Sequence, residues 1–220
     1  VLGLREGTAG IMAQAYGFVT GKPGVCMSTL GPGSSNMVCP VASALLDRVP
    51  MIAISGQIET ARDGVFTHQV LNHNAIFSPI SQWAVQIQAS NVGTIMRKAL
   101  RVAAAERPGP VHITTPADIT TADCSDSRIV LPPSDVVAHG HQVFARAGVN
   151  LEISAHLRKA KRPVVLAGIS AMRANATREL TRFAETLGCP VIVAPMSKGV
   201  IAEDHPYYAG TLDMACNAFI

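Results

Sequence analysis

Charge is scarce in this 220-residue chain: Asp, Glu, Lys and Arg make up 15 % of it, and the formal net charge is only +3. The basic residues do not gather beyond Arg158-Lys159 and Lys161-Arg162. That leaves no footprint for nucleic acid and no polybasic membrane patch. No apolar run approaches the roughly 18–20 residues that a bilayer-spanning helix requires. No signal-peptide pattern precedes the first apolar stretch; the cytoplasmic location expected here rests on the cysteines. Cysteine is sparse and odd in number. Cys26, Cys39, Cys124, Cys189 and Cys216 are widely scattered with no Cys-x-x-Cys pair. A disulfide framework and a zinc site are thereby disfavoured, and reduced core thiols are expected. Aromatic residues amount to 5 %, yet apolar residues reach 48 %, so a sizeable aliphatic core is expected in one large domain or two small ones.

What the chain does have is alternation. Val1-Leu2-Gly3-Leu4 reads as a strand, Gly7 to Val19 as a helix, and Gly24 to Thr29 as the next strand. Ser34 to Leu46 is helical in pattern, with Met37, Val38, Val41, Ala42 and Leu45 on one side. Pro50 to Ser55 is a continuous apolar run, as expected of a strand covered on both faces. A long irregular stretch follows from Gly56 to about Pro79, and loops of such length are usually functional or mobile. Trp83 to Ile87 is a short strand, Asn91 to Ala105 a helix with an Asn cap, and Arg107-Pro108-Gly109-Pro110 a hard turn into the strand Val111–Thr115. This order predicts an α/β fold whose parallel, right-handedly connected sheet is flanked by helices.

Periodicity vanishes from Pro116 to about Gly148 and then returns. Leu151 to Lys159 reads as a helix, Pro163 to Gly168 as a strand, Asn175 to Leu187 as a capped helix and Pro190 to Pro195 as a strand. The boundaries drawn are a first domain over 1–118, a linker over 119–148 and an incomplete, Rossmann-like second domain over 149–220 with only two strands. The chain begins inside an apolar strand and stops at Asn217-Ala218-Phe219-Ile220 in a helical pattern, so a piece of a longer protein is expected.

Glu6 and the turn Gly31-Pro32-Gly33-Ser34-Ser35-Asn36 both fall at the carboxyl ends of neighbouring strands, where open α/β sheets bind their ligands. A carboxylate beside a turn whose backbone can be approached closely points to acid–base work on a bound molecule. The alternative is that Glu6 only favours a helix N-terminus by charge–dipole attraction. Gly31-x-Gly33-x-x-Asn36 also looks like a dinucleotide fingerprint, but its third glycine is missing. Asp47 comes too early to be the ribose-binding acid, so a nicotinamide site is rejected. His68 and His73, on the long loop, are candidates for substrate contact or are solvated loop residues. Their spacing in a loop does not suit a metal, and no metal is expected on this chain.

The run Arg5-Glu6-Gly7-Thr8-Ala9-Gly10, then Ala15-Tyr16-Gly17 and Gly21-Lys22-Pro23-Gly24-Val25, resembles the pyrimidine-binding domain of thiamine-diphosphate enzymes. Gly31 to Asn36, Ile54-Ser55-Gly56-Gln57 and Arg107-Pro108-Gly109-Pro110-Val111 continue the pattern. Met196 to Val200 and Asp204-His205-Pro206 are similar to the central domain, and the acetolactate synthase-like branch is the best match. The resemblance implies that Glu6 hydrogen-bonds the pyrimidine ring nitrogen of the cofactor. By trading a proton there it favours the imino tautomer, whose nitrogen removes the thiazolium proton. Desolvation is expected to raise the pKa of Glu6 toward the working pH. Thr29 and Pro32 would wall the aminopyrimidine, Asn36 and Gln69 would offer amides, and Arg107 would help hold FAD where a member of the family binds it. Asn36 is otherwise an ordinary helix-start residue, Gln69 an exposed loop residue and Arg107 a solvated turn residue.

Carried over from the family, the intact protein would use thiamine diphosphate and Mg2+ to condense or decarboxylate a 2-keto acid. It would work as a homodimer or homotetramer, because each active site is shared between subunits. The first domain lacks the family's first strand and helix, and the domain that binds the diphosphate through magnesium has no counterpart here, so the chain alone is expected to be inactive. Arg5 replaces a histidine common in relatives, and Phe66 to Val70 departs from the phenylalanine-glutamine-glutamate run of acetolactate synthases. Benzoylformate- or oxalyl-type decarboxylases therefore stay open as alternatives, as do a non-catalytic nucleotide-binding module and a flavoprotein electron carrier.

Overall fold

A computed structural model describes residues 1–123 and 147–212. The chain divides into two compact units, Val1–Gln142 and Val143–Ile220. Most of the expected linker, with Cys124, and the end of the chain, with Cys216, lie outside the described residues.

The first unit is built from α1 (Glu6–Thr20), β1 (Gly24–Ser28), α2 (Pro32–Ser35), α3 (Val38–Leu46), β2 (Met51–Gln57), α4 (His73–Phe77), β3 (Trp83–Gln86), α5 (Val92–Ala104), β4 (Pro110–Pro116) and α6 (Ala117–Thr120). Its four strands are all parallel in the order β1-β2-β4-β3. One face of the sheet carries Cys26, Met51 and Ala53, which pack with Ala13, Met37, Val41, Ala44, Val49 and Phe77. The other carries Ile52, Val111 and Ile113 against Ala99 and Ala103 of α5. Helix α1 turns its small residues Gly10, Ala13 and Gly17 inward, which lets its backbone lie close to the sheet. Gln14 Nε2 then ties α1 to α3 by donating to Ser43 Oγ (2.9 Å) and Asp47 Oδ2 (3.0 Å).

Four expectations change. Asn91 precedes α5 but its side chain makes no cap bond to it; its Oδ1 accepts from Gln88 N instead (2.9 Å). Val1 to Leu4 form no strand: no described strand offers them a ladder, and Val1, Leu2 and Leu4 are fully exposed. An isolated strand has no hydrogen bonds to hold it. The helix expected over Ser34–Leu46 is broken at Asn36 and Met37, so the glycine–proline turn owns a short helix of its own. The long irregular stretch contains α4, capped by Asn72 Oδ1 accepting from Ala75 N (3.0 Å).

The second unit contains α7 (Ala147–Lys159), β5 (Val165–Ala167), α8 (Ile169–Arg173), α9 (Thr177–Leu187), β6 (Val191–Val193) and β7 (Tyr208–Thr211). Its sheet is parallel with the order β5-β6-β7. Ala167, Val191 and Val193 bury against Ala184 of α9 and against Val200 and Ile201. The third strand was not expected. Its residues pair through a register shift beside Ile192 and carry no aliphatic run. Asn175 does not cap α9; it sits at φ 50° in the break between α8 and α9.

Candidate functional site

Strand β1 ends at Ser28, and the chain turns through Thr29, Leu30 and Gly31 into α2, with Pro32 at its first helical position. Gly31 has φ 59°, and a Cβ there would lie 2.7 Å from both Cβ and the carbonyl oxygen of Gln69. Gln69 is itself left-handed, at φ 60°, which is uncommon for a residue with a side chain. A Cβ on Gly33 would come within 2.6 Å of Thr29 Cγ2 and 3.2 Å of Glu6 Oε1. The two glycines are therefore what allow the long loop on one side and a carboxylate on the other to close onto one turn.

Glu6 opens α1, and its Oε2 accepts a hydrogen bond from Asn36 Nδ2 at 3.0 Å. Its pKa is lowered, first by its own backbone N–H at the helix start and then by the Asn36 amide. This corrects the expected rise. The side chain is only half-buried, so desolvation is too weak to offset two donors that favour the charged form.

Glu6, Thr29, Pro32, Asn36 and Gln69 thus all belong to, or touch, the segment 29–36. Arg107 does not join them. It precedes β4 with φ 59°, at the amino-terminal edge of the sheet, where its carbonyl accepts from Gln82 Nε2 (3.3 Å). His73 is also elsewhere: it is 2 % exposed and packs its ring edge-on to His112 at 5.9 Å and to Phe77 at 6.5 Å. His68 stays exposed, with its ring edge-on to Phe66. Cys26 and Cys189 are buried thiols, and burial pushes Cys26 up to about 12, but Cys39 is exposed, contrary to expectation. Beside the turn lies an open depression of about 600 Å³ lined by Arg5, Thr8, Ile11, Asn36, Cys39 and Pro40.

Beneath these strand ends runs a buried polar row. His112 Nε2 lies 2.9 Å from Ser55 Oγ, which lies 3.1 Å from Ser28 Oγ, and Phe77 stacks on the His112 ring at 3.7 Å. Desolvation, aided by the neighbouring His73, lowers the His112 pKa to about 3; desolvation lowers that of His73 as well. Both rings are therefore neutral at ordinary pH. Sequence reasoning missed this row, because β-strand Ser and His residues carry no periodic signal until the strand order is known.

Gln57, a motif residue to which the resemblance assigns no role, ends β2. Its Oε1 accepts from Ile58 N and its Nε2 donates to Leu71 O, both at 3.0 Å. Among the described residues no group of three His, Cys, Asp or Glu could hold a metal ion, and no helix is long and apolar enough to cross a membrane.

Residues 1–80 match the family model described as the N-terminal TPP-binding domain of thiamine pyrophosphate enzymes, and residues 152–220 match that of their central domain. The chain is 34 % identical over 217 residues to a probable acetolactate synthase large subunit of Methanococcus aeolicus, covering 96 % of this chain and 35 % of that protein. It is 34 % identical over 214 residues to the acetolactate synthase large subunit of Corynebacterium glutamicum (96 % and 33 %). Against the acetolactate synthase isozyme 1 large subunit of Escherichia coli it is 31 % identical over 215 residues (97 % and 37 %). The chain spans about a third of the length of the curated relatives it matches.

Proposed function

The chain belongs to the thiamine pyrophosphate enzyme family, and on that premise we propose that it supplies the pyrimidine-binding site of an acetolactate synthase-like transferase acting on 2-keto acids. The observation that carries this is the Glu6 carboxylate held by Asn36 against the Gly33 backbone, in a cradle that a single Cβ would fill. These residues fit an aminopyrimidine. Thr29 and Pro32 supply a wall, Asn36 and Gln69 supply amides, and a carboxylate oxygen remains for a ring nitrogen. When bound, thiamine diphosphate supplies the carbanion chemistry. Glu6 then has the proton work. Asn36 keeps Oε2 oriented, leaving Oε1 over Gly33 to hold or release a proton. A flat ring covering Glu6 would desolvate it and lift its pKa from its lowered value toward the range useful for proton transfer.

On the same reading, residues 1–118 form the pyrimidine domain, 119–148 the linker and 149–220 the start of the central domain. Mg2+ and the diphosphate are held by a diphosphate-binding domain that has no counterpart in this chain, in a cytoplasmic homodimer or homotetramer, and Arg107 belongs to an FAD contact rather than to the pyrimidine site. The isolated 220-residue chain titrated with thiamine diphosphate and Mg2+ should show no tight binding by calorimetry; nanomolar affinity would contradict this.

The test is turnover of pyruvate by the intact protein. Glu6→Gln should lower the rate at least ~100-fold, the usual worth of a positioned acid–base group. Retention of most of the wild-type rate would refute the assignment. Phe66 to Val70 departs from the phenylalanine-glutamine-glutamate run of acetolactate synthases, so a 2-keto acid or oxalyl-type decarboxylase stays as the second reading. Product analysis separates them, since acetolactate supports carboligation and an aldehyde or formyl product supports decarboxylation.

A further inference from the structure

The loop between β2 and α4 carries Gln69, and residues 61–69 are exposed throughout. Yet Gln69 holds a left-handed backbone conformation and presses against Gly31. Such a conformation is unfavourable for a residue with a side chain and persists only where the surroundings over-determine it. Within the loop, Phe66 N donates to Arg62 O (3.0 Å), Val70 N donates to Thr67 O (3.3 Å) in a turn that encloses Gln69, and Arg62 pairs with Glu59 (3.2 Å); the ends are tied separately. On the near side Thr60 N donates to Asp118 Oδ1 at 3.0 Å. On the far side His73 is buried beside His112 and Phe77, and Asn72 caps α4. From outside the loop, Gln57 of β2 grips the returning chain next to Gln69. Its amide is used at both ends: Oε1 takes the N–H where the loop leaves β2, and Nε2 donates to the carbonyl of Leu71, two residues after Gln69.

We propose that Gln57 is a positioning residue, whose side-chain amide clasps the two ends of the 58–71 loop together and thereby holds Gln69 against the Gly31 turn. The clasp itself follows from the hydrogen bonds alone; its importance for cofactor binding rests on the function proposed above. No shorter side chain reaches both partners, and a carboxylate cannot replace the amide at neutral pH. An ionised Glu still accepts from Ile58 but has no proton to give Leu71. Protonated, it regains a donor.

Hydrogen exchange on the 220-residue chain without any cofactor tests this, comparing the wild type with Gln57→Leu and Gln57→Glu. At pH 7 both variants should exchange about tenfold faster than wild type over residues 58–72, the factor expected for one lost hydrogen bond, and also over 30–36. Segments in α5 and β4 should be unchanged. At pH 4, below the ordinary Glu pKa of about 4.3, Gln57→Glu should return to the wild-type rate measured at the same pH, while Gln57→Leu should not. Acceleration spread over α5 and β4 would make Gln57 merely structural and overturn the proposal. So would a 30–36 segment that does not respond, or a Glu variant that is not rescued. Because no cofactor is present, failure of the thiamine assignment would leave these results standing, and failure of the clasp would leave that assignment standing.

Discussion

At the carboxyl ends of β1 and β2 the first unit leaves a carboxylate, two left-handed residues and an open turn. At the corresponding ends of β5 and β6 the second unit ties itself shut. There Ser197, fully buried, donates toward the carbonyls of Ala167 (2.6 Å) and Ala194 (2.9 Å), so that one hydroxyl serves both strand ends. The two sheets share parallel strands and flanking helices, yet one end leaves a carboxylate beside an open turn and the other closes on its own carbonyls. Architecture alone therefore does not say where chemistry occurs; the side chains at the strand ends do.

Acid should strain the first unit most. His73 and His112 are buried and neutral, with folded pKa values below the ordinary His value of about 6.5. The unfolded chain therefore binds protons that the folded chain refuses. Stability is fully present above about pH 6.5 and declines as pH falls toward the folded pKa of about 3 for His112. Between pH 6.5 and 4 the loss should be on the order of 3 kcal/mol, read as a falling urea midpoint. His112→Phe, which keeps a ring stacked on Phe77, should flatten that slope. An unchanged slope would mean that the histidines do not control it.

Gly33→Ala sharpens the contrast on the functional side. Its methyl group collides with Thr29 Cγ2 and crowds Glu6 Oε1, so turnover by the intact enzyme should fall roughly 10- to 100-fold, about 1.4–2.7 kcal/mol. Ser197→Ala does the opposite. It should cost roughly 1–2 kcal/mol of stability by thermal melting, the usual range for a lost buried hydrogen bond, while turnover by surviving folded protein is unaffected. A catalytic defect in Ser197→Ala would break the comparison. The smallest effect is expected from Asn36→Ala, which removes one amide from Glu6 Oε2. The Glu6 pKa, followed by NMR, should move up toward its ordinary value, with turnover changed only a few-fold.

Much of this was legible because aliphatic runs announce buried parallel strands. Pro50–Ser55 and Val111–Thr115 became the central β2 and β4 almost residue for residue. The Gly31–Asn36 turn was legible because it marks a strand-to-helix junction, and Glu6 because it opens α1, although no described strand precedes it. The rest depended on tertiary pairing. Tyr208–Thr211 is a strand only because β6 offers it an edge, whereas Val1–Leu4 has the right residues and no described partner. His73 looked like a loop residue until α4 folded its ring onto His112. The bond from Gln57 to Leu71 spans 14 residues and exists only once the loop returns. The lowered pKa of Glu6 escaped because its own helix amide and Asn36 outweigh a burial that the apolar neighbours suggested.

The most direct test of the carboxylate's role is deuterium exchange at the thiazolium carbon of thiamine diphosphate bound to the intact protein, followed by NMR without substrate. Replacing Glu6 by Gln should slow that exchange by at least about 100-fold while the cofactor stays bound. Exchange at the wild-type rate in the variant would contradict the assignment of Glu6.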